Sequence, residues 1–124
     1  MKKIIGSLLV LPILLWITSS VVLASGSTIS TMASIVMHLQ HYPSNGEKKI
    51  LANIIQSDQT TAGEKVLAGA LMRMQHTMQG ADVVALQALV VDKQASHSAR
   101  ELADILLALK HKASSSDMQR LKLL

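Results

Sequence analysis

The chain has 124 residues and no cysteine, which is the length of one domain and leaves no disulfide framework, thiolate metal site or cysteine nucleophile. Phe is absent and Trp16 and Tyr42 are the only large aromatics, so the stacking platforms that hold single-stranded nucleic acid are missing. The formal net charge is +4, but Lys2 and Lys3 are two of the 12 basic residues; residues 25–124 hold the other 10 against 8 acids, a net of +2, too little for a nucleic-acid-binding patch.

Residues 1–24 read as a secretory signal peptide. Met1-Lys2-Lys3 is a positive start, Ile4 to Ile17 is almost wholly apolar, and Val22 and Ala24 supply the small residues of a cleavage site before Ser25. The alternative is an uncleaved anchor, because the apolar run approaches the roughly 20 residues that span a bilayer. Either reading places residues 25–124 outside the cytoplasm: periplasmic or secreted, or held at the inner membrane by the N-terminal segment alone.

Six short helices are expected in residues 25–124. Ile29, Met32, Ile35 or Val36, and Leu39 line one face of the first, with Thr28 or Ser30 as its cap. Pro43 stops it. Ser44-Asn45-Gly46-Glu47 is a capping box that opens the second, carrying Ile50, Leu51, Ile54 and Ile55. After a polar loop at 57–60, Thr61-Ala62-Gly63-Glu64 is a second box, and Val66, Leu67, Ala70, Leu71 and Met74 follow. Gln79-Gly80 breaks this helix. The fourth runs from about Ala81 to Val91 and carries Val83, Leu86, Leu89 and Val90. Ser98-Ala99-Arg100-Glu101 has the form of a third box, opening a helix with Leu102, Ile105, Leu106 and Leu109. Ser114 to Asp117 opens the last, with Met118, Leu121 and Leu124. No stretch alternates at period two, so no sheet is expected.

These elements repeat every 35 residues without a gap. Ala33, Ala68 and Ala103 coincide, as do His41, His76 and His111, then Leu51, Leu86 and Leu121; an acid recurs as Glu47, Asp82 and Asp117. A fixed period of this size is the mark of helical hairpins, none of which covers its own apolar face. The expected fold is all-α: about three stacked hairpins over residues 25–124, as a small α-solenoid or an orthogonal bundle. The period is close to that of tetratricopeptide repeats, but their aromatic positions are empty here, and the ankyrin signature is absent.

The candidate chemistry is histidine and methionine. His38 and His41 are three apart on a helix, and His41, His76 and His111 share one repeat position. In a linear stack those three would form a ladder with neighbours about 10 Å apart, the usual spacing of packed helices, too far to share one ion. A plainer role is expected for each: a ring near a helix C-terminus, bonding an orphan carbonyl and favouring the helix dipole. Met72-Arg73-Met74-Gln75-His76-Thr77-Met78 has the soft ligands of copper carriers. Met72 and Met74 align with Met37, Leu107, Leu39 and Leu109, which are space-filling positions; only Met78, aligned with Pro43 and Ala113, has no such precedent. The metal candidates are therefore His38, His41, His76, Met78 and His111, with no site favoured and no cofactor expected.

No calcium loop, phosphate loop or framed nucleophile is present, so an enzyme is not expected. The first functional expectation is a non-enzymatic interaction or accessory module of the cell envelope, partnered by another envelope protein. The alternative is a periplasmic copper- or zinc-binding protein using His and Met.

Overall fold

The computed structural model describes residues 25–124; the expected signal peptide lies outside them. Six helices, packing as consecutive pairs, make up this part: α1 (Ser25–His38), α2 (Asn45–Gln56), α3 (Ala62–Arg73), α4 (Ala81–Val91), α5 (His97–Ala108) and α6 (Ser115–Leu121). None is long and apolar enough to cross a membrane.

Their starts follow from local chemistry. Ser44 Oγ accepts from the Glu47 backbone N–H while the Glu47 carboxylate accepts from the Ser44 N–H; Thr61 and Glu64 do the same for α3. Both boxes satisfy two N–H groups that a helix start leaves orphaned. Ser114 caps α6 by accepting from Asp117. Two starts differ from expectation. α1 is already helical at Ser25, so Thr28 and Ser30 lie inside it, and the Thr31 hydroxyl donates back to the Ser27 carbonyl. α5 is capped by Ser96, which accepts from Ala99, so Ser98 sits within the first turn rather than before it. Any serine two or three residues ahead of a free N–H can cap, and the polar run Ala95–Ser98 offers two.

The burial pattern splits the helices into an inner and an outer set. α1, α3 and α5 carry most of the core: Ile29, Met32, Ala33 and Val36; Leu67, Ala68, Ala70 and Leu71; Leu102, Ala103, Ile105 and Leu106. α2 and α4 bury little beyond Leu51, Leu86 and Leu89, and α6 adds Leu121. The inner helices all touch one another, and Ala33, Ala68 and Ala103, each at most 1% exposed, leave room for a close approach. The outer helices extend this pattern around the molecule: α2 packs on α3, α4 on α5, and α6 on α1. The array thus returns to its start, and neighbours repeat cyclically with the 35-residue period.

Candidate metal centre

The segments that follow α1, α3 and α5 turn inward in the same way. Each helix ends on a tightened turn, with Leu39, Met74 and Leu109 donating backbone N–H to Val36, Leu71 and Leu106. Those three side chains are at most 4% exposed. Four residues further on, Pro43 and Met78 are buried and Ala113 is half-buried. Each repeated histidine stands midway between two such anchors, at the crest of a short turn. At His76 and His111 the turn is the smallest available: Thr77 N–H donates to Gln75 and Lys112 N–H to Lys110, both at 2.7 Å, with φ of 66° and 65° at the histidines between. These are γ-turns of the rare positive-φ kind. The crests are also linked, His76 N–H donating to the His41 carbonyl at 3.1 Å and His111 N–H to the His76 carbonyl at 2.8 Å.

The three imidazoles meet. His76 Nδ1 lies 3.0 Å and His41 Nδ1 3.2 Å from His111 Nδ1. The ring centroids are 4.9 to 5.3 Å apart and the rings stand edge to face, at 65° to 89°. One nitrogen from each lies within 4.8 Å of the other two. This overturns the expected ladder with its spacing of about 10 Å. That distance belongs to helix axes, whereas these rings project from loops that bend toward the point where the three inner helices converge. It also overturns the expectation that each ring acts alone on a helix-end carbonyl. Among the described residues the side-chain hydrogen bonds of these three rings run to one another; the ring that bonds a carbonyl is His38, whose Nδ1 lies 2.8 Å from the Ser34 oxygen.

The geometry suits a metal ion. Zn²⁺ takes imidazole nitrogen at about 2.0–2.1 Å, which for tetrahedral angles puts ligand nitrogens roughly 3.3 Å apart. The 3.0 and 3.2 Å separations from His111 Nδ1 need only a few tenths of an ångström of opening to reach that value. All three rings are exposed, so an ion held by them would keep a coordination position open to water, as catalytic rather than closed structural sites do.

Of the residues singled out from the sequence, His41, His76 and His111 come together and His38 does not join them. Met78 is 7% exposed and packs in the core, in the anchoring position it shares with Pro43. Two cationic clusters lie away from the histidines. Arg73 grips Asp82 with Nε and Nη2, at 2.6 to 3.2 Å, and that hydrogen bonding raises the Arg73 pKa. Arg120 bridges Glu101, Asp104 and Asp117 at 2.6, 2.7 and 3.0 Å; its pKa is raised, chiefly by the bonds to Glu101 and Asp104. Both pairs tie helices together. Compared with protein-family models, curated proteins and solved structures, the chain matches none of them.

Proposed function

We propose that this is an exported metal-binding protein, built from three copies of one helical hairpin, that holds a single divalent transition metal on Nδ1 of His41, His76 and His111. The observation that carries this reading is the meeting of three nitrogens, 35 residues apart in sequence, with separations of 3.0 and 3.2 Å. The backbone supports it. Positive φ at a residue bearing a side chain is uncommon, and strain of that kind concentrates at functional sites; here it falls on two of the three histidines. The donor set of three imidazoles suits Zn²⁺ in a tetrahedral frame, and Cu²⁺ competes through its higher intrinsic affinity. The charged start and apolar run of residues 1–24 support export. The interaction-module reading rests on the helical repeat alone, a general scaffold that specifies no ligand.

Calorimetric titration of the purified protein with Zn²⁺ and Cu²⁺ tests the proposal. The expected result is one metal per chain, with binding lost in His76→Ala and in His111→Ala and kept in His38→Ala and His97→Ala. Binding should weaken as pH falls, because protons compete for the ligand nitrogens. Absence of binding, or binding that survives His111→Ala, would overturn it.

A further inference from the structure

Resting on that reading, we infer that the fourth position of the metal takes a small oxyanion, one oxygen on the metal and the others held by Lys110 and Lys112. Three neutral imidazoles leave the full charge of a divalent ion uncompensated, and the surroundings add to it. The two lysines flank His111 on either side of its turn, and with His41 and His111 they line a surface groove at the end of α1. A second groove contains His76 and is lined by Lys48, Arg73, Tyr42 and Gln75. No carboxylate lines either groove, although the chain has 8 acids and ligating centres commonly draw on them. Of these cations Arg73 is neutralised by Asp82, whereas Lys110 and Lys112 are exposed beside the triad. A water molecule on the metal would leave this charge unbalanced. An anion balances it and gains charge-assisted hydrogen bonds to the ammonium groups.

The test uses the full chain loaded with Co²⁺, whose visible bands report its coordination. The loaded protein is titrated with sodium phosphate and, separately, with sodium acetate, at ionic strength held constant with perchlorate. A saturable spectral change with at least one anion is expected. Phosphate alone would mark a phosphate-type ligand, acetate alone a carboxylate, and response to both the general oxyanion class. In the double variant Lys110→Ala/Lys112→Ala the anion affinity should fall about tenfold, the loss expected for a charge-assisted hydrogen bond, while Co²⁺ still binds. Both lysines are exposed, so the variant should fold, and circular dichroism checks that it does. A spectrum indifferent to both anions, or an unchanged anion affinity in the double variant, overturns this inference and leaves the metal site standing. Failure of Co²⁺, Zn²⁺ and Cu²⁺ alike to bind removes both.

Discussion

His76 and His111 have φ near 65°, a region where a Cβ meets backbone crowding that glycine escapes. The side chains are exposed, so little packing is lost when they are removed. Metal-free His76→Gly should therefore be more stable than metal-free His76→Ala, by about 0.5–1 kcal/mol, although glycine is the smaller residue. Urea unfolding of the two variants in chelator checks this; equal stability, or a less stable glycine variant, would mean that the turn carries no strain. Both variants should lose the metal response, which separates the backbone's contribution from the ring's. Histidine gives no sequence signal for positive φ as Gly or Asn would, so the turn that aims the rings was not legible from the chain. The shared repeat position of the three rings was.

At the scale of elements, the order and extent of the six helices could be read closely from capping residues and apolar spacing, because both are local. The capping boxes at Ser44 and Thr61 show this, and the misplaced cap of α5 shows the limit, since Ser96 and Ser98 compete for one role. Thr61→Ala should cost about 1 kcal/mol. Leu51, Leu86 and Leu121, equivalent in the repeat, are all at most 2% exposed. Leu86 lies on α4, between α3 and α5, and Leu86→Ala should cost about 2–5 kcal/mol, a large share of a small domain's stability. Leu121→Ala should cost less, because α6 spans 7 residues and rests on α1. α6 depends instead on Arg120, whose bonds to Glu101 and Asp104 join it to α5, while its third partner, Asp117, lies on α6 itself. Removing the Arg120 side chain should destabilise on the order of 1 kcal/mol, an effect that shrinks with added salt. Amide exchange should show the change confined to α6; uniform loss of protection would contradict it.

For the molecule as a whole, the period announces that copies exist but not the rotation that relates one to the next. A small rotation builds an open row and a large one closes a ring, and the difference lies in side-chain packing between units distant in sequence. The contact of α1 with α6 therefore could not be read from the period, and with it went the meeting of the histidines. Closure places one ligand from each third of the chain on a single ion, so metal should stabilise the entire domain. At a free concentration 100 times Kd the gain is about 2.7 kcal/mol, readable as a rise in Tm of roughly 10–20 °C for a domain of about 100 residues. If export cleaves before Ser25, the mature chain begins at the first residue of α1 and loses Trp16, so its intact mass should lack residues 1–24 and its tryptophan fluorescence should be nil.

A ring of like units has no privileged first member. The step from α6 to α1 stands where the steps from α2 to α3 and from α4 to α5 stand, and the last described residue falls about five positions short of completing a third 35-residue period. Joining Leu124 to Ser25 through a linker of about five residues and opening the chain in the polar loop at 57–60 should leave every helix with its present neighbours. Such a circularly permuted chain should bind metal as the parent does, with the three histidines now met in the order 76, 111, 41.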